Sequence, residues 1–387
     1  MIYADHNATS PLDPEVWAAM RPYFETHFHN PSSPYTPART ASLALTRARE
    51  QVAALVEAEP GHVYFTSGGT EANAMAIATA RAWRPERRHW VCSAVEHAAI
   101  LEPLRALEQE GHRVTRIPVD REGRLDLDAL RAALTDDTAL VSVMSANNET
   151  GALHPIADVA ALARARGILV HTDAVQSVGR VPVSSRAWGV DLLSCCAHKM
   201  HGPKGAGALV AGAGRKPAAL LRGGGQEQGL RAGTENVPAL AGFGAAAALA
   251  QRRLAEDAAH ARALRDRVET GVCAALPDVR VAARGVERLP NTTMFLVHGV
   301  DTDVLLARLD MDGACCSSGS ACASGSAEPS HVLREMGWGA APRPAALRVS
   351  WGRFNTLEDS IRLETLIING VKDLRARSRD SRTSPRT

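Results

Sequence analysis

The sequence predicts an α/β protein with a mostly parallel sheet. Three observations carry that reading. Short apolar strand patterns alternate with helical ones from Val63 to Cys196, as in chained βαβ units. Polar residues collect just past the strand patterns: His97, Asn148, Asp173, Gln176 and Lys199. Such positions line the ligand crevice of a parallel sheet. The chain has 387 residues, long enough for a large core and a second domain.

The elements follow in order. Residues 3–14 are polar and turn-rich, an arm expected to lie against another part of the protein. Helical patterns cover 15–28 and 38–57, separated by a loop at Asn30-Pro31-Ser32-Ser33-Pro34. Val63 to Ser67 reads as a strand. Gly68-Gly69-Thr70-Glu71 follows, then an alanine-rich helix over 72–82. A strand, glycines and a hydroxyl at a helix start form an anion site, because the backbone approaches closely and free N–H groups point outward. Read alone, the same residues favour a plain threonine N-cap with Glu71 in the first turn.

The alternation continues. His89 to Ser93 is a strand ending at Glu96-His97, and 98–109 is a helix. Arg113 to Pro118 and Leu140 to Met144 are strands, the second running into Ala146-Asn147-Asn148-Glu149-Thr150-Gly151. Ile156 to Arg166 is a helix, and Ile168 to His171 is a strand that leads to Asp173 and Gln176. Val190 to Leu193 is a short buried strand, followed by Ser194-Cys195-Cys196-Ala197-His198-Lys199 and a Gly-Pro turn. A lysine desolvated at a strand end loses part of its preference for the proton and becomes a usable nucleophile. The plainer alternative is a loop lysine capping the strand.

A second glycine-rich loop, residues 223–238, carries Arg231 and Thr234. Long polar loops of this kind serve sites or interfaces. A helix over 239–254 follows, then a separate long helix over 257–275 that opens a smaller α+β domain. That domain holds a loop of glycine, serine and alanine, 313–326, with Cys315, Cys316 and Cys322. Its composition predicts mobility. Three cysteines without a CxxC pair are a weak metal signal, and no metal is expected. One exposed thiol there is as readily a nucleophile. Ala346 to Ser350 is a strand with Arg348 embedded, a carboxylate clamp by chemistry. A last helix starts near 356, and the Arg- and Ser-rich tail from Arg375 reads as disordered.

Composition narrows the function class. The net charge is +2, which gives no footprint for nucleic acid. No apolar run reaches membrane-spanning length, and the first residues lack a signal peptide's pattern. Seven unevenly spaced cysteines fit a reducing cytoplasm rather than a disulfide framework.

Six stretches then carry a resemblance: Ser67-Gly68-Gly69-Thr70-Glu71, Asn147 to Gly151, His171-Thr172-Asp173-Ala174-Val175-Gln176-Ser177, His198-Lys199 with Gly202-Pro203-Lys204-Gly205, Arg231-Ala232-Gly233-Thr234, and Ser317-Ser318-Gly319-Ser320-Ala321-Cys322. From about Tyr3 to Phe354 the chain resembles the cysteine desulfurases, pyridoxal-phosphate enzymes of the class V aminotransferase group. Its wording is nearest their nitrogen-fixation branch. The resemblance implies a cofactor-binding large domain over 15–256. It also implies a small domain joining 1–14 to 257–387. Lys199, and not Lys204, matches the Schiff-base lysine. Asp173 matches the partner of the pyridinium nitrogen, Gln176 that of the ring hydroxyl, and His97 the stacked, proton-moving histidine. Gly69, Thr70 and His198 match phosphate contacts. Thr234 matches one supplied by a second subunit, which implies a homodimer with shared sites. Asn148 and Arg348 match holders of the substrate carboxylate, the substrate being L-cysteine. Cys322 matches the cysteine that takes the sulfur and passes it to an acceptor such as an iron–sulfur scaffold. Cys196 departs from a family serine on the phosphate, and a thiol is the weaker donor. The same resemblance leaves a selenocysteine lyase or another aminotransferase as alternatives. A metal or iron–sulfur binding module is the alternative of another class.

Overall fold

A computed structural model describes residues 1–212, 216–319, 330–340 and 343–383, with side chains to 377. The chain starts in strand β1 (Ile2–Tyr3) and helices α1 (Pro14–Met20) and α2 (Pro22–Glu25). The single helix expected over 15–28 is interrupted at Pro22, which has no N–H to continue the ladder. Helix α3 (Thr36–Leu55) leads to strand β2 (Val63–Thr66) and helix α4 (Gly69–Trp83). Strand β3 (His89–Ser93), helix α5 (Ala98–Gln109), strand β4 (Arg113–Ile117), helix α6 (Leu127–Ala133) and strand β5 (Thr138–Ser142) follow. Next come helix α7 (Ile156–Arg164), strand β6 (Leu169–Asp173), helix α8 (Ser185–Trp188), and strands β7 (Leu192–Cys196) and β8 (Gly207–Ala211).

Among the described residues the central sheet has seven strands in the order β2-β8-β7-β6-β5-β3-β4. Strands β4, β3, β5, β6 and β7 are parallel, and β8 runs antiparallel to both β7 and β2. The α/β expectation holds. Helices cover both faces, so strands β5 to β8 are buried throughout their length, as parallel sheets require.

The two helices expected over 239–254 and 257–275 are one. Helix α9 (Val237–Ala275) is 39 residues long. No glycine or proline lies near its middle, and Arg253 pairs with both Glu256 and Asp257 across the expected break, reinforcing a continuous helix. Its first half packs in the large apolar cluster with Val16, Leu45 and Phe65. Its second half packs in another cluster with Phe295, Leu347 and Leu363.

That second cluster lies on strands β9 (Arg280–Val281), β10 (Thr292–Val297) and β12 (Ala345–Ser350), an antiparallel sheet in the order β12-β10-β9. Helices α10 (Thr302–Met311) and α11 (His331–Leu333) and strand β11 (Ala314–Cys315) complete the region. Helix α12 (Leu357–Thr383) closes the chain. The tail expected to be disordered from Arg375 is therefore helical to Thr383. The Arg375 guanidinium pins it, donating to Asp278 and to the His298 carbonyl. No helix among the described residues is long and apolar enough to cross a membrane.

The arm bonds both to the strands of the second cluster and to the turn after β7. Strand β1 pairs with β11, Asp5 bridges to Ser350, and Ser10 bonds to the His198 carbonyl.

Candidate active site

The strand ends of the central sheet converge on one pocket of about 250 Å³. It is lined by Gly69 and Thr70 past β2, His97 past β3, Asn148 past β5, Asp173 and Gln176 at the end of β6, and Cys196, His198 and Lys199 past β7. Arg348 of β12 and Asn7 and Ala8 of the arm close it. Nine sequence-singled strand-end residues and Arg348 thus share one cavity. Thr234 does not line it and is exposed. Cys322 lies outside the described residues.

Each side chain is held by identifiable partners. Lys199 sits in a single helical turn between the antiparallel strands β7 and β8. Its Nζ donates to the carbonyls of Asn7 (2.5 Å) and Ala8 (2.7 Å). Desolvation, aided by the positive charges of Arg180 and Arg348, pushes its amine down to about 8. A lysine so placed has a substantial free-amine fraction near neutral pH.

Asp173 is buried. Its Oδ2 accepts from Asn73 Nδ2 (2.6 Å), and its Oδ1 from the Val175 N–H (3.0 Å). His97 is the N-cap of α5, and its Nδ1 accepts from the Ala99 N–H (3.1 Å). The neutral ring therefore carries its proton on Nε2. Burial is the main cause that pushes this imidazole below its ordinary range. His198 is also held neutral, pushed down to about 4 by desolvation and by nearby Lys199, and its Nδ1 meets Thr9 Oγ1 at 3.1 Å. Gln176 donates from Nε2 to the Asn7 carbonyl (3.0 Å) and accepts from Arg180. Arg348 donates to Asp5 (2.7 Å) and to the Asn148 carbonyl (3.0 Å), leaving its Nε unpartnered.

The pocket fits pyridoxal phosphate. At one end, helix α4 begins at Gly69 behind Gly68, which has no side chain to cap the first N–H groups. Those groups are free for a phosphate. A Cβ at Gly69 would stand 2.7 Å from Val175 Cγ2, so glycine keeps the cradle open. Asn73 Oδ1 is buried without a partner beside Asp173. An anion cradle, a buried carboxylate and a poised amine in one cavity are the donor set this cofactor needs.

The Aminotransferase class-V family model matches residues 2–363. The chain belongs to this family.

Its relatives are the enzymes that its motifs resemble. This class-V aminotransferase is 47% identical over 379 residues to a cysteine desulfurase of Cereibacter sphaeroides, covering 97% of both chains. It is 43% identical over 359 residues to the cysteine desulfurase NifS of Azotobacter vinelandii, covering 92% of this chain and 89% of that one. Among solved structures it matches a NifS-like protein with TM-score 0.90 and 32% identity, covering 96% of this chain and 99% of that one. The expected family and fold are borne out.

Sequence reasoning missed several residues of this class-V aminotransferase's pocket. Asn7 and Ala8 act through backbone carbonyls, which no side-chain pattern announces. Asn73 lies inside α4, where its sequence context is that of an ordinary helix. Cys195 and Cys196 are adjacent on β7 and face opposite ways. Cys195 packs in the large apolar cluster, and Cys196 lines the pocket. Desolvation pushes the Cys196 thiol up to about 11.

Proposed function

We propose that the protein is a pyridoxal-phosphate-dependent cysteine desulfurase that converts L-cysteine to L-alanine. The observation that carries this is the desolvated amine of Lys199 and the buried carboxylate of Asp173 lining one pocket, in a chain so similar to named cysteine desulfurases. Lys199 attaches the cofactor, Asp173 holds its ring nitrogen protonated, and Gln176 meets its ring hydroxyl. Gly69, Thr70, His198 and Cys196 hold its phosphate. Bound pyridoxal phosphate supplies an electron sink for the carbon next to the substrate amine.

Lys199 removes the proton from the substrate Cα once its amine is free. His97, whose neutral ring carries its proton on Nε2, would lie against the bound cofactor and move protons there. Asn148 and Arg348 hold the substrate carboxylate. The Cys322 thiolate attacks the substrate sulfur. The S–S bond forms as the C–S bond breaks, and the electron pair stays with the carbon that becomes alanine's methyl. Cys322 is left as a persulfide, which an acceptor such as an iron–sulfur scaffold takes up. Cys316 is the poorer nucleophile, because desolvation pushes its thiol well above the ordinary range.

The working form is a homodimer in which Thr234 serves the partner's site. Its exposure away from its own pocket supports this. Residues 15–256 form the cofactor domain and 1–14 with 257–387 the small one, with α9 spanning both. Free, reduced thiols suit the cytoplasm.

The test uses L-cysteine with the loaded enzyme and a candidate scaffold, following alanine, sulfide and thiol masses. Cys322→Ala is expected to keep its cofactor and its response to L-cysteine. It should lose sulfide release and the persulfide. Cys315→Ala and Cys316→Ala should keep most activity. Normal turnover by Cys322→Ala would refute the sulfur route.

A further inference from the structure

Arg180 lies in the turn that follows β6, four residues after Gln176. Its guanidinium touches three segments that line the pocket: the arm, the turn after β6 and the turn after β7. Nη1 donates to Asn7 Oδ1 (3.0 Å), to Gln176 Oε1 and to the Gln176 carbonyl (3.4 Å). Nη2 donates to the His6 carbonyl (2.8 Å) and to the Lys199 carbonyl (3.2 Å). The Asn7 carbonyl in turn receives both Lys199 Nζ and Gln176 Nε2. Arg180 therefore closes a ring of contacts around the lysine.

All of its acceptors are uncharged oxygens. Among the described residues Arg180 makes no ion pair, whereas Arg348, the other guanidinium near Lys199, is neutralised by Asp5 at 2.7 Å. Desolvation pushes even Arg180 down to about 10. A desolvated cation without a counter-ion is costly to keep. Arg180 and Lys199 also share the wall of a second, smaller cavity of about 40 Å³, which Asp173 does not line.

We infer that Arg180 is a positioning residue for Lys199: it locks Asn7 and Gln176 around the amine and sets an uncompensated positive charge behind it. The consequence is electrostatic. A like charge disfavours the ammonium form and leaves the free amine available. The other groups bearing on Lys199 are Asp5, His97, Asp173, Cys196, His198 and Arg348. Across the small cavity Asp257 is already paired with Arg353. None of these replaces the charge of Arg180.

The inference rests on Lys199 being the cofactor lysine, but its test reads the amine itself. Cofactor-free protein is labelled with acetic anhydride across a pH series. Lys199 and Lys204 peptides are then quantified by mass spectrometry. Lys199 in the parent should label with a midpoint near pH 8. Arg180→Gln should move that midpoint up by at least about one pH unit, so that labelling at pH 7 falls about tenfold. Arg180→Lys, which keeps the charge, should leave it in place. Should Arg180→Gln not fold, Arg180→Met preserves the stem's volume and takes its place. An unmoved midpoint in the uncharged variant overturns the inference. So does an equal shift in Arg180→Lys. Either result leaves the assignment of Lys199 standing, since borohydride mapping of the loaded enzyme tests that separately.

Discussion

Cys196→Ser is expected to tighten cofactor binding, and the pairing register gives the reason. Cys196 pairs with Gly207 on β8, and Gly207 pairs with Thr66 on β2. A Cβ at Gly207 would stand 2.6 Å from Gly68 Cα, so the loop before α4 closes directly over this glycine. Adjacent strands lie roughly 4.8 Å apart, which puts Cys196 beside the N-terminus of α4, the phosphate site proposed above. With its thiol pushed up to about 11, Cys196 is neutral at pH 7 and a weak donor. A serine hydroxyl has nearly the same size. Its hydrogen bond to a phosphate is charge-assisted and is worth roughly 1.5–3 kcal/mol. At about 1.4 kcal/mol per decade, that is about 10- to 150-fold in the dissociation constant. The pocket, at about 250 Å³, has room for water on the new hydroxyl. The cofactor-free variant should therefore melt within about 1 °C of the parent, the change being small by the usual scale. Dialysis against cofactor-free buffer, followed by absorbance, compares rates of loss. Melting with and without cofactor assigns any gain to the loaded state. Equal or faster loss from Cys196→Ser, or an equal gain without cofactor, would refute the reasoning.

Two further outcomes are expected. Borohydride reduction of the loaded protein should fix the cofactor to Lys199. Lys199→Ala should carry no such adduct and Lys204→Ala should carry it fully, and an adduct on Lys204 would reverse the assignment. Acid should destabilise the fold through its buried neutral histidines, because desolvation pushes His6 and His171 down to about 3 and His201 down to about 4. Between the ordinary histidine value of about 6.5 and these values the unfolded chain binds more protons, so stability falls as pH falls. The loss reaches about 2 kcal/mol per imidazole at pH 5. Melting temperatures at pH 7 and pH 5 check this, and equal values would contradict it.

The sequence by itself determined the α/β alternation, the mostly parallel sheet and most of the pocket, while the strand order and the antiparallel β8 between β2 and β7 came from the fold. Periodicity is local, so alternating strands and helices were legible. The polar residues at strand ends were legible for the same reason, since a parallel sheet brings its strand ends to one edge. His97, Asn148, Asp173, Gln176 and Lys199 needed no long-range information to be singled out. The glycines at 68 and 69 marked a strand-to-helix turn, although the helix starts at Gly69 and Thr70 lies inside it rather than capping it.

Only the tertiary structure decided what surrounds them. The acceptors of Lys199 are backbone carbonyls of an arm 191 and 192 residues away, and a carbonyl leaves no trace in the identity of its residue. Arg180 looked like any arginine after a strand until Asn7, 173 positions earlier, came to lie against it. Arg348 carried a clamp's chemistry in its sequence, but Asp5, 343 positions away, fixes its charge balance. The continuity of α9 rests partly on packing of its two halves in separate clusters, and the helical tail on Arg375 meeting Asp278, 97 positions earlier, neither of which local composition encodes. A residue's chemistry is written in its side chain. Its proton affinity depends on desolvation and on charges brought near by folding, and for Lys199 these are burial first, then Cys196, Arg180, Arg348 and the arm's Asp5.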